Sequence, residues 1–281
     1  MTSPTPVSGH APVNGLEMYY EIHGSGGTPL VLLHGSFMTI DLNWAPLLPH
    51  LAESRQVIAV EMQGHGRTRD IERDPSLEAF ADDVAALLDH LGFERADILG
   101  YSLGGAVAVQ VAIRHPEKTR KLVVISSPFR PDGWLPDVRS GIESITGDML
   151  IETPLGDAYH QVAPDPDGFA ALVERVKKID IVSPGASNEE IQSITAPTLL
   201  LIGDADGIRL EHAVEVFRLL GGGVFGDVAG VPPSRLAVLP GGTHVGIVME
   251  TELLTRLIVP FLDEPEHAHV AGGHASTAPG S

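Results

Sequence analysis

Gly100-Tyr101-Ser102-Leu103-Gly104 is the stretch on which the reading of this chain turns. It joins an apolar, strand-like run, Ala96 to Gly100, to an apolar, helix-like run, Leu103 to Ile113. A serine at such a junction sits on a sharp strand-to-helix turn that holds its hydroxyl clear of the sheet, ready to attack. The turn strains the serine backbone, and glycines at 100 and 104 let neighbouring chain pass close to it. The helix that follows points free N–H groups and its positive dipole end at the site, where negative charge developing on a bound carbonyl oxygen is stabilised. The pentapeptide alone would also suit a tight turn with a capping serine. The flanking strand and helix patterns select the nucleophile reading.

Strand and helix signals alternate on both sides of it. Short runs of Val, Leu and Ile recur at Leu30 to Leu33, Val57 to Val60, Ala96 to Leu99, Leu122 to Ile125, Thr198 to Ile202 and Leu236 to Leu239, each of a length that suits a buried strand. Between them, Leu77, Phe80, Val84, Leu87, Leu88 and Leu91 share one helix face, with Asp82, Asp83 and Asp89 directed outward. Leu253, Leu254, Leu257, Ile258, Phe261 and Leu262 repeat the pattern, and Gly92 and Pro116 stand as helix stops. The alternation predicts an α/β fold, a mostly parallel central sheet flanked by helices. Glu17 to His23 alternates polar and apolar residues and predicts an antiparallel strand at the start.

Pro128 to Ile194 breaks this rhythm, with recurrent Pro, Gly and Asp and helical patches at Phe169 to Ile179 and Glu189 to Ile194. An insertion of this length between two strands reads as a helical cap over the site. The expected organisation is therefore a core of residues 1–127 and 195–263, a cap of residues 128–194, and a flexible tail of residues 264–281. Gly221 to Pro233 reads as a loop, and His267, His269 and His274 fall in the tail.

Composition narrows the function classes. The chain has 281 residues, 43% of them apolar, enough for a substantial core, and no apolar run long enough to span a bilayer. Met1 to Gly15 lacks the basic start and apolar stretch of a secretory signal. With no cysteine, disulfides, thiolate metal sites and a cysteine nucleophile are excluded, which fits a cytoplasmic protein. Acidic side chains outnumber basic ones 37 to 18, a formal net charge of −19 that argues against nucleic acid or a membrane as partner.

A serine hydroxyl needs a base to take its proton, and the base needs an acid to fix its tautomer. In the order serine, acid, histidine, Asp206 follows the strand-like run Thr198 to Ile202, and His244 follows Leu236 to Leu239. Both fall at the C-terminal edge of the predicted sheet, where ligands bind in such folds. His90, His115 and His212 read as surface groups on helices; His34 and His65 precede the acid and suit structural hydrogen bonding. Asp204 is the rival acid, read instead as a turn cap. The oxyanion hole is expected from the backbone N–H groups of Leu103 and of Ser36, in His34-Gly35-Ser36-Phe37. Phe37, Tyr101 and Trp134 are candidate substrate-binding residues, with Tyr159 and His160 further candidates in the cap.

These motifs resemble the α/β-hydrolase superfamily over Leu16 to Leu262: His34-Gly35, Gly64-His65-Gly66-Arg67-Thr68, the turn at Ser102, Gly203-Asp204-Ala205-Asp206 and Gly242-Thr243-His244. Relatives often carry aspartate where Glu61 stands, serine where Thr68 stands and glycine where Thr243 stands. The resemblance implies a serine esterase or lactonase with a helical cap, acting on a small-molecule ester or lactone without cofactor or metal. Carbon–carbon bond hydrolysis, amide hydrolysis and peracid formation are alternatives on the same residues, and a non-catalytic ligand-binding or receptor protein is the alternative from another class.

Overall fold

The structure is a computed structural model that describes residues 6–265. The tail residues 266–281, with His267, His269 and His274, lie outside the described residues. An eight-stranded sheet runs through the molecule: β1 (Val7–Val13), β2 (Leu16–His23), β3 (Leu30–Leu33), β4 (Val57–Val60), β5 (Ala96–Tyr101), β6 (Thr119–Ile125), β7 (Thr198–Ala205) and β8 (Arg235–Thr243). Their order is β1-β2-β4-β3-β5-β6-β7-β8. β2 runs antiparallel to β1 and β4, and every pairing from β4 to β8 is parallel. This is the mostly parallel sheet flanked by helices that the sequence predicts.

β1 is an addition to that prediction. Asn14 and Gly15 link it to β2 with φ of 48° and 87°, the backbone of a tight hairpin turn that favours these residues. β3 and β4 have no exposed residue because both sheet faces are covered. One face holds Val31, Leu33, Ile58 and Val60 with the helices Leu77–His90 and Leu103–Arg114; the other holds Leu30, Leu32, Val57 and Ala59 with the helix Thr251–Asp263. Burying each of these leucine, isoleucine and valine side chains favours the fold by roughly 1.5–3 kcal/mol.

Asp83 departs from the outward position expected of it. It is buried and accepts both Arg73 guanidinium nitrogens, with Nη1 to Oδ1 at 2.9 Å and Nη2 to Oδ2 at 2.6 Å. A carboxylate is tolerated on this inward face because a bidentate arginine satisfies it.

Between β6 and β7 the chain makes the helices Pro136–Ser144, Gly147–Leu150, Pro154–Val162, Phe169–Val182 and Asn188–Ser193. Only the last two were legible as helical patches. Ser187 and Glu190 form a reciprocal capping box at the start of the last. Phe169, Leu172, Val173, Val176 and Ile179 belong to the same apolar cluster as Leu77 and Phe80, so this helix is packed onto the sheet's covering layer. Arg175 ties it down, donating to the backbone oxygens of Ile71 and Arg73 and pairing with Asp70. The stems meet: Ala186 N–H donates to Phe129 O at 2.8 Å. The expected loop at Gly221 to Pro233 contains one short helix, Gly226–Ala229. Among the described residues, no helix is long and apolar enough to cross a membrane.

Candidate active site

β5 ends at Tyr101, and the helix Leu103–Arg114 begins two residues later, so Ser102 alone makes the turn. Its φ of 52° and ψ of −120° are a strained backbone for a residue with a side chain. Surrounding glycines make the turn possible. A Cβ at Gly100 would lie 2.0 Å from Gly104 O, and one at Gly104 would lie 2.1 Å from Leu33 O. Ser102 N–H donates to Ile125 O at 3.0 Å, which anchors the turn to β6.

Three strand ends bring the sequence-predicted relay together. Ser102 Oγ is 3.1 Å from His244 Nε2, and His244 Nδ1 is 2.9 Å from Asp206 Oδ1. With the Nδ1 proton donated to the carboxylate, Nε2 is left to accept from the serine hydroxyl. Burial pushes the Asp206 carboxyl up, but the hydrogen bond and charge of His244, the Ser126 hydroxyl and Ile208 N–H outweigh it and hold the group below the usual carboxylate range. Asp204 faces elsewhere: it is exposed and accepts Gly241 N–H at 2.7 Å, capping the turn that leads to His244. Thr243 Oγ1 accepts Gly246 N–H at 3.0 Å, so the hydroxyl in place of glycine fastens the far side of the histidine loop.

The loop after β3 is equally fixed. His34 is fully buried; its Nδ1 donates to Gly35 O at 2.8 Å and its Nε2 accepts Met62 N–H at 3.1 Å. Burial and the neighbouring His65 depress its pKa to about 3, so it is a neutral structural brace. Gly35 N–H donates to Asn43 Oδ1 at 2.8 Å, and Phe37 adopts a φ of 65°. Among the described residues, the N–H groups of Ser36 and Leu103 have no protein acceptor, and β3 and β5 are adjacent in the sheet. Glu61 accepts Ile40 N–H at 3.2 Å and the Arg67 side chain at 2.8 Å, tying this loop to the next. The space for the extra methylene over aspartate comes from Gly66, whose Cβ would lie 2.3 Å from the Glu61 carboxyl. Thr68 Oγ1 donates to Glu61 O at 2.6 Å and accepts Tyr19 N–H at 2.9 Å.

A narrow cavity of about 30 Å³ opens at Ser102, walled by Leu77, Leu103, Ala106, Phe129, Trp134 and Ile179 among others. Beyond it, a chamber of about 310 Å³ shares Leu77, Ile179 and Ser183 with that cavity. Trp134 thus lines the space beside the serine and stands edge-on to His244, with ring centroids 5.3 Å apart. Tyr101 does not line it. Its ring is buried on the opposite sheet face with Leu99, and its hydroxyl donates to His244 O at 3.0 Å, so it supports the histidine loop from below. Phe37 is buried in the cluster that includes Leu103 and Phe169 and is not among the cavity's lining residues. Tyr159 packs against Phe169 with centroids 5.3 Å apart, in the same cluster.

His212 corrects the surface assignment. It is buried, its Nε2 accepts Phe129 N–H at 3.1 Å, and burial depresses its pKa to about 4. It braces the first stem of the insertion where Phe129 and Arg130 line the cavity, a contribution the sequence reading missed. The helical spacing of His212, Val216 and Leu220 was the available signal. Among the described residues, no group of three or more His, Asp or Glu side chains is arranged to hold a metal ion.

A family profile described as "alpha/beta hydrolase fold" matches residues 28–152. The 2-hydroxymuconate semialdehyde hydrolase of Pseudomonas sp. (strain CF600) is 30% identical over 212 residues, 66% of this chain and 74% of the relative. RutD of Caulobacter sp. (strain K31), named as a carbamate hydrolase, is 34% identical over 271 residues, 87% of this chain and 95% of the relative. Among solved structures, the enol-lactonase of Burkholderia xenovorans LB400 superposes with a TM-score of 0.68 at 22% identity, covering 91% of this chain and all 100% of that one.

Proposed function

The chain belongs to the α/β-hydrolase family, and from that premise we propose that it is a cofactor-free serine hydrolase that opens a carboxylic ester or lactone through an acyl-enzyme. Ser102 Oγ attacks the carbonyl carbon while its proton passes to His244 Nε2. The oxyanion takes the N–H groups of Ser36 and Leu103. His244 then gives the proton to the departing alkoxide as the carbon–oxygen bond breaks. Water attacks the acyl-serine, loses a proton to His244, and the acid leaves as Ser102 regains its hydrogen. Asp206 holds the ring and stabilises its charged form throughout.

The observation that carries this reading is the unbroken line from Ser102 Oγ through His244 to Asp206, with links of 3.1 and 2.9 Å. The apolar side chains beside Ser102, Trp134 and Phe129 among them, favour an apolar acyl group next to the reacting carbonyl. A fluorophosphonate probe tests it. Labelling of the wild type that disappears in Ser102→Ala supports the nucleophile; a folded wild type that stays unlabelled sinks it and favours a binding protein.

A second reading, hydrolysis of a carbon–carbon bond beside a ketone, draws on the relative named as a semialdehyde hydrolase. Parallel assays with p-nitrophenyl esters, lactones and a vinylogous diketone separate the two. Ester or lactone turnover well above diketone turnover is expected, and the reverse ranking favours carbon–carbon cleavage.

A further inference from the structure

Ser126 is the residue immediately after β6, between the strand that carries Ser102 and the strand that leads to Asp206. It has a φ of 46°, in the left-handed region that a serine occupies only when its surroundings demand it. Its N–H donates to Leu201 O at 2.8 Å, so its backbone is pinned to β7. The residue is 1% exposed, and among the described residues its hydroxyl meets no partner by distance and angle. Asp206 leaves a matching vacancy. Oδ1 accepts His244 Nδ1–H and Ile208 N–H, whereas Oδ2 is buried with no partner among the described residues. A buried carboxylate oxygen with no donor is costly, as is a buried hydroxyl with no acceptor.

We propose that Ser126 is a positioning residue of the relay: a small turn of its side chain lets the hydroxyl donate to Asp206 Oδ2, which fixes the carboxylate plane so that Oδ1 meets the His244 ring. The inference rests on the catalytic reading of Ser102, His244 and Asp206 and adds a fourth side chain to it. Next to His244, the Ser126 side chain stands close enough to the Asp206 carboxyl to favour its charged form. The groups facing the carboxylate are the His244 imidazole, Ile208 N–H, the Ser126 hydroxyl and the Tyr101 phenol, whose own ionisation is opposed by burial and by the Asp206 charge. A strained serine, an orphaned hydroxyl and an orphaned carboxylate oxygen are all accounted for by one hydrogen bond.

Ser126→Ala removes the hydroxyl and keeps the strained backbone; Ser126→Gly removes the hydroxyl and relieves the strain. Each is made in the wild type and in Asp206→Asn, and the rate of fluorophosphonate labelling at Ser102 is measured against pH. Both variants are expected to label about ten- to a hundred-fold more slowly, the loss expected for a hydrogen bond to a charged group. Their acid limb should move to higher pH, because a carboxylate that has lost a donor is more basic. In Asp206→Asn the same substitutions should cost little, since they act through Asp206. Wild-type rates in both variants, or an undiminished cost in Asp206→Asn, would overturn the proposal. If Ser126→Ala does not fold, Ser126→Gly decides alone. If even the wild type fails to label, the nucleophile reading falls separately, and the NMR titration of the His244 ring takes over: an upward shift in the variants supports the proposal, and an unmoved titration overturns it.

Discussion

Replacing Asp206 with asparagine should stop turnover almost completely, whereas the same change at Asp204, two residues earlier, should barely affect it. Both acids follow the apolar part of β7, and either could serve a histidine by sequence order alone. Asp206 Oδ1 lies 2.9 Å from His244 Nδ1, and the carboxylate is shielded from water by its burial. An amide there carries no charge to stabilise the imidazolium, and its NH2 group favours the tautomer with the proton on Nε2, which can no longer accept from Ser102. The loss expected is about ten-thousand-fold in kcat, equivalent to ~5 kcal/mol of barrier. Asp204 makes one described bond, to Gly241 N–H at 2.7 Å on an exposed turn. Asparagine keeps the accepting oxygen, so Asp204→Asn should hold kcat to within about threefold, as expected for an exposed neutral replacement. The assay is initial-rate hydrolysis of p-nitrophenyl esters, with labelling rate as a check on Ser102. Equal losses in the two variants, or the larger loss at Asp204, would refute the assignment of the acid.

Gly104→Ala would push a methyl group into Leu33 O at 2.1 Å and His34 O at 2.6 Å, backbone atoms that cannot swing aside. We expect a loss of about 3 kcal/mol and a Tm lower by about 6–12 °C; a wild-type melting curve would contradict the packing argument. Arg175→Ala releases a helix of the insertion from Ile71, Arg73 and Asp70, so KM should rise several-fold with kcat little changed, and limited proteolysis within residues 128–194 should quicken. Unaltered KM and cleavage would show that the latch is idle. Stability should fall as pH drops from about 6.5 towards 4, because His34, His65 and His212 are held neutral by burial at pKa values of about 3, 4 and 4. The unfolded chain, with ordinary histidines, takes up those protons first, so it gains on the folded state as pH falls. Burial pushes Glu61 and Asp97 up, which opposes the trend at its lower end. Thermal melts across this range in wild type and in His212→Gln test it: the variant should show the shallower slope, and a flat wild-type curve would count against the buried histidines.

The six strands β3 to β8 were legible because each contains a short apolar run, and β3 and β4, buried on both faces, carry no polar residue at all. β1 was missed because Val7 to Val13 contains Gly9, His10 and Pro12 and lies at the sheet edge with only Ala11 and Val13 buried; the Asn14-Gly15 turn was the clue that should have revealed it. Ser102, Asp206 and His244 could be named in advance because strand ends collect at one edge of a parallel sheet. Of the pocket walls only Trp134 could be, since the rest depend on how the stem at residues 128–131 and the helix Phe169–Val182 come to lie over that edge. Tyr101 shows a simpler lapse. Side chains alternate along β5, so Leu99 and Tyr101 share a face turned away from the helix that follows Ser102, and adjacency to the serine in sequence was misleading. His212 and Asp83 were misread because polarity was taken to mean exposure, while one accepts a buried N–H and the other a buried guanidinium.

Because Phe129 and Ala186 are bonded to each other, the long excursion between β6 and β7 leaves and rejoins the sheet through a single doorway. Gly185 keeps that doorway shut tight, its φ of 69° and the 2.4 Å approach of a would-be Cβ to Phe129 O leaving no room for a side chain. The excursion beyond it is still tied to the core through Arg175 and through the shared apolar packing of Phe169, Val173 and Val176. The two stem residues fix where the excursion begins and ends, while the space beside Ser102 is walled jointly by Leu77, Leu103 and Ala106 of the core and by Trp134 and Ile179 of the excursion.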